Sequence, residues 1–114
     1  MKLVIFGLTL SSSWGNGHAT LWRGWCRALA RQGHDVAFFE RDVPYYANNR
    51  DLFELPGGGE LILYPEWRDV IPLAERHLAE ADAAMVTSYC PDGIAACDLV
   101  LSSPARIRAF YGLA

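Results

Sequence analysis

No apolar run in the chain reaches the roughly 18 residues that a bilayer-spanning helix needs. Charge of one sign is not in excess either. Lys and Arg number 10 against 13 Asp and Glu, a net charge of −3, which gives no general attraction to nucleic acid or to acidic membranes. Cysteine is scarce and odd in number. Cys26, Cys90 and Cys97 have no metal-ligand spacing and read as reduced thiols of a cytosolic protein, each a small core residue. His18, His34 and His77 share no metal-like spacing, so neither a metal nor a cofactor is expected. No Gly-Lys-Ser/Thr follows the first glycines, which excludes a P-loop. Ser11, Ser12 and Ser13 lack a nucleophile elbow. The opening "MKLVIFGLTLSSS" has one Lys and a short apolar run, but the run is strand-like and no A-x-A site follows, so it reads as a strand and not as a signal peptide. There is no repeat, linker or low-complexity segment.

What is present is a folding composition: 52% apolar and 20% charged over 114 residues, one domain or a piece of one. Strands and helices alternate. "KLVIFGL" (2–8) is a continuous apolar run, the mark of a strand covered on both faces. A helix is expected from about Gly17 to Gln32, with Leu21, Trp22, Trp25, Cys26, Leu29 and Ala30 on one face and Arg23, Arg27 and Arg31 on a solvated one. Asn16 is its N-cap and Gly33 its stop. "DVAFFE" (35–40) is a second buried strand. "RDVPYYANNRDLFELPGGG" then breaks the rhythm and reads as a long loop with one helical turn. "ELILY" (60–64) is a third strand, 66–81 a second amphipathic helix, "AAMVTSY" (83–89) a fourth strand, "PDGIAACDLVLS" (91–102) a third helix, and "RIRAFY" (106–111) a fifth strand. The alternation predicts an α/β, doubly wound, mostly parallel Rossmann-like sheet of about five strands in the order 3-2-1-4-5, in three layers. The chain ends after the fifth strand without a closing helix, which leads to the expectation of one half of a larger protein.

In such sheets, ligands bind beyond the carboxyl ends of the strands where the strand order reverses. Two segments meet that description. One is Thr9–His18; the other is "TSYCPDG", 87–93. Both carry small polar residues and both run into a helix N-terminus, whose backbone N–H groups favour an anion or an oxygen-rich ligand. "GNGHAT" approaches a dinucleotide fingerprint, and Glu40 ends the second strand where a ribose-binding acid would stand. Against this, Thr20 replaces the third glycine, and "TLSSSW" separates the strand from the first. His18 is the candidate base, its imidazole kept neutral by the helix N-terminus; His34 and His77 read as surface. Asp92 serves either as a ligand contact or as a helix cap. Glu40 and Asp42 are placed at the crevice edge, Arg41 in solvent, and Tyr45 and Tyr46 in an exposed loop.

"SSSWGNGHAT", "FFERDVPYY" and "TSYCPDG" together resemble the N-terminal half of bacterial CgeB-like, GT-B-type glycosyltransferases, and the resemblance runs over essentially the whole chain. It implies two Rossmann-like domains around a cleft, with the N-terminal domain on the acceptor side, the C-terminal domain on the nucleotide-sugar side, and no required metal. Carried over by position, Ser13, Asn16, Gly17 and His18 would face the cleft. Tyr89, Pro91, Asp92 and Gly93 would form the opposite wall, and His18 would stand where some of these enzymes place a catalytic base. The implied partners are a nucleotide-sugar and an acceptor, both met through a full-length protein; without the second domain this chain would be inactive. Two other readings stay open: a nucleotide- or dinucleotide-binding module, and a non-enzymatic domain that pairs with another chain through its crevice.

Overall fold

The computed structural model describes residues 1–12, 18–48 and 50–112, with His18, Tyr45 and Tyr46 described by their backbone only. Nine elements follow in order: β1 (Lys2–Gly7), α1 (His18–Arg31), β2 (Asp35–Arg41), α2 (Pro44–Ala47), β3 (Glu60–Tyr64), α3 (Trp67–Glu80), β4 (Ala83–Thr87), α4 (Gly93–Leu101) and β5 (Ile107–Tyr111). The five strands form one sheet in the order β3-β2-β1-β4-β5, and every neighbouring pair is parallel. The Rossmann-like architecture expected from the sequence is therefore present, strand order included. The single turn α2 falls inside the loop that the prolines and asparagines mark.

The period-2 rule of a strand explains the layers. In β1 and β2, Val4, Phe6, Ala37 and Phe39 face one side and pack with α3 and α4 through Val70, Ala74, Leu78, Ala96 and Val100. Ile5, Val36 and Phe38 face the other side and meet Trp22 and Cys26 of α1. Both faces are apolar because both are covered, as parallel sheets require. Phe6 stacks on Phe39 at a centroid distance of 4.9 Å, and Trp22 meets Trp25 and Tyr111 edge-on. β5 is different. Four of its five residues are exposed, since it is an edge strand with little packed over it.

Two glycines set the turns. Gly33 ends α1 at φ 81°. Gly59, at φ 92°, passes so close to β2 that a Cβ there would lie 2.5 Å from the Val36 carbonyl oxygen; it lets the chain enter β3 alongside its neighbour.

Two surface assignments change. His77 is only 8% exposed, because its helix position lies beside Phe39 (centroids 5.6 Å apart) on the sheet side of α3. Arg23 is not part of a solvated stripe. Its Nε donates to the Leu10 carbonyl at 2.8 Å and its fork closes on Asp51, whereas Arg27 and Arg31 are exposed.

Candidate functional site

The carboxyl ends of the strands lie at Gly7, Arg41, Tyr64, Thr87 and Tyr111, and strand order reverses between β1 and β4. The two segments singled out in the sequence leave the sheet there, one from β1 and one from β4.

The β1 side begins with a buried polar clamp. Glu40 follows Val36 and Phe38 on the α1 face of β2, so its carboxylate points under the β1–α1 connection and is 0% exposed. Oε1 accepts from the backbone N–H groups of Leu10 at 2.7 Å and Ser11 at 2.9 Å. Oε2 accepts from the hydroxyls of Thr9 at 3.1 Å and Ser11 at 2.6 Å. Four donors on one carboxylate satisfy a group that would otherwise be very costly to bury. Arg50 completes the clamp. Its Nε donates to Ser11 Oγ at 2.8 Å, and its Nη2 donates to Asp42 at 2.9 Å and stands 3.8 Å from Glu40. The Ser11 carbonyl accepts from the N–H groups of Asp51 and Leu52. Thr9–Ser12 is therefore fully buried. Ser13, Asn16 and Gly17 lie outside the described residues. His18 begins α1, at the crevice end of that helix.

The β4 side is open. After Thr87 the chain turns through Tyr89, whose φ of 64° is the one positive value among the described non-glycine residues. A bulky residue in the left-handed region is a strained backbone that its surroundings must hold. Ser88 N–H donates to the Tyr111 carbonyl at 2.9 Å, and Gly93 N–H closes the turn on the Cys90 carbonyl at 3.0 Å. Asp92 precedes α4 but makes no side-chain cap. Its carboxylate turns back across the sheet instead. Oδ2 accepts from the Tyr64 hydroxyl at 2.9 Å, and Oδ1 accepts from Arg41 at 3.2 Å. Arg41 also faces Glu66 at 3.7 Å, so it ties the end of β2 to the starts of the helices α3 and α4 and is not a free surface charge. Burial pushes the Tyr64 phenol far above its usual range, and the bond to Asp92 adds to this. Burial likewise raises the Cys90 thiol to about 11, which keeps it protonated.

An open groove of about 780 Å³ lies over this turn, the first turns of α4 and Phe110 of β5. Tyr89, Asp92 and Gly93 all line it. Glu40 does not; its place is inside the clamp, where contact with a ligand would require Thr9–Ser11 to let go.

Comparison with protein-family profiles, with curated proteins and with solved structures returns no match to this chain. Function therefore rests on the residues themselves. Among the described residues no group of three or more His, Cys, Asp or Glu is placed to hold a metal ion, and no helix is long and apolar enough to cross a membrane.

Sequence reasoning found the two segments and missed both networks beneath them. A signal existed for each. Val36, Phe38 and Glu40 alternate on one face of β2, so the acid had to point where its apolar neighbours point. Arg41 and Tyr64 are register partners in the β2–β3 pair, at the strand ends nearest the start of α4.

Proposed function

We propose that this chain is the acceptor-side half of a GT-B-type glycosyltransferase of the CgeB-like kind. The observation that carries the reading is the pairing at the switch point. Thr9–Ser12, buried and bonded to Glu40, follow β1, α1 begins with His18, and an open groove begins where β4 hands over to α4. Ser11 of the first resembling segment and Glu40 of the second meet in the clamp, and the third lines the groove. In the proposed reaction the acceptor hydroxyl attacks the anomeric carbon of a nucleotide-sugar. The bond from that carbon to the diphosphate oxygen breaks, the nucleoside diphosphate leaves, and the acceptor proton passes to His18. Donor binding is assigned to a second domain beyond this chain.

The dinucleotide alternative loses support from the position of Glu40. A ribose needs a free carboxylate, and here both oxygens are held by four donors.

The test is a transfer assay on the protein at its native length, with a panel of nucleotide-sugars and mass-spectrometric detection of the glycosylated acceptor. His18→Ala is expected to lower turnover by about 100-fold or more, in the range of general-base catalysis, with little change in unfolding temperature. Full turnover in His18→Ala would remove the base from the mechanism. Absence of transfer from every donor would remove the activity.

A further inference from the structure

The groove over the β4–α4 turn has a chemistry of its own, and it bears on what the acceptor is; this step rests on the transferase reading. Three large side chains stand out at its walls: Tyr89 is 69% exposed, Ile94 85% and Phe110 63%. Exposed apolar side chains gathered round one concavity mark a binding surface more often than side chains scattered singly do. The charges are one-sided. Among the described residues that line the groove, Asp92 and Asp98 are carboxylates and none is Lys, Arg or His. The cation nearest to Asp92, Arg41, is spent on Asp92 and Glu66. The start of α4 would by itself attract an anion, but the Asp92 carboxylate already supplies negative charge there. A phosphate or carboxylate ligand would meet two acids and no partner.

We propose that this groove takes a neutral sugar ring, stacked on Tyr89, as the acceptor or as the part of the acceptor nearest the reacting hydroxyl. A pyranose has the two properties that match this groove. Its C–H face is apolar and flat enough to lie on an aromatic ring. Its hydroxyls are donors for carboxylate oxygens that accept and cannot donate. Asp98, exposed on the first turns of α4, is the freer of the two acceptors. Asp92, fixed by Tyr64 and Arg41, offers its remaining lone pairs in one orientation, which suits recognition of a particular hydroxyl. Tyr89 sits on the turn at the groove with a left-handed backbone and is exposed there.

The test uses the 114-residue chain in a two-dimensional NMR titration with three probes: cellobiose as the neutral saccharide, inorganic pyrophosphate as the anion and tetramethylammonium as the cation. Cellobiose is expected to give saturating shifts at Tyr89, Gly93, Ile94 and Phe110. Tyr89→Ala should weaken it about tenfold, the worth of one stacked ring, while Tyr89→Phe should bind nearly as well. No saturation with cellobiose would overturn the proposal. So would pyrophosphate or tetramethylammonium saturating the groove in its place, or equal affinity in Tyr89→Ala. The transferase reading fails separately. Transfer to an acceptor without a sugar ring would leave that reading intact and sink this one, whereas cellobiose binding without transfer from any donor would do the reverse.

Discussion

Replacing Glu40 tests whether the β1–α1 loop is held from below. In Glu40→Ala the backbone N–H groups of Leu10 and Ser11 lose the carboxylate that accepts from them in a fully buried place. Each orphaned N–H costs about 1–3 kcal/mol. The Thr9 and Ser11 hydroxyls can turn to each other, and Arg50 keeps Asp42, so those losses are smaller. The sum is about 4 kcal/mol, a large part of a small domain's stability. Glu40→Gln is the control. Its amide oxygen can keep both N–H groups and its NH₂ can donate to the hydroxyl oxygens, so only the charge assistance and the attraction to Arg50 are lost, about 1–2 kcal/mol. Urea unfolding followed by tryptophan fluorescence reads both values. Amide exchange should show Leu10 and Ser11 opening first in the alanine variant. A cost below about 1 kcal/mol for Glu40→Ala, or equal costs for the two variants, would refute the clamp.

Four further outcomes follow from the packing. Gly59→Ala should destabilise by about 2–4 kcal/mol, since it combines a left-handed φ with a backbone clash at Val36; a change within about 0.5 kcal/mol in urea unfolding would contradict the close approach. Trp22 is fully buried and its Nε1 has no hydrogen-bond partner among the described residues, so Trp22→Phe should cost well under the roughly 3–5 kcal/mol expected of Trp22→Ala, and equal costs would show that the indole N–H matters. Burial lowers the His77 pKa below its ordinary 6.5, and the nearby Lys2 adds to this. The neutral form is therefore the folded form, and its contribution is complete above the unfolded pKa and fades as pH falls below about 6.5. The urea midpoint of His77→Gln should depend less on pH from 7 down to 5 than that of the parent chain, and parallel curves would refute this. Burial raises Cys26 to about 11, as it does Cys90, so iodoacetamide at about pH 8 should label both slowly until urea is added; rapid labelling of the native chain would contradict it.

The fold was legible because the sheet is covered on both faces. Continuous apolar runs such as "KLVIF" and "VAFF" have no other economical explanation, and α1 and α3 keep one apolar stripe each. β3 and β5 could be bounded closely because glycine and proline stand just before them. The polar clamps were not legible, since each joins residues far apart in the chain: Glu40 with Thr9 and Ser11, and Asp92 with Arg41 and Tyr64. Charged residues at strand ends look like surface in a linear pattern, and only sheet register brings Arg41 beside Tyr64. His77 was misplaced for a related reason. An imidazole is polar in a helix pattern, yet its ring packs edge-on against Phe39 on the buried side of α3. Asp92 sits where a cap would sit, but two stronger donors across the sheet won its carboxylate.

The most direct test of the acceptor-side assignment is a calorimetric titration of this chain with NAD and with a panel of nucleotide-sugars, set beside a neutral disaccharide. The account predicts saturation by the disaccharide alone. Saturable binding of NAD or of any nucleotide-sugar by this chain would place the nucleotide on this half and contradict it.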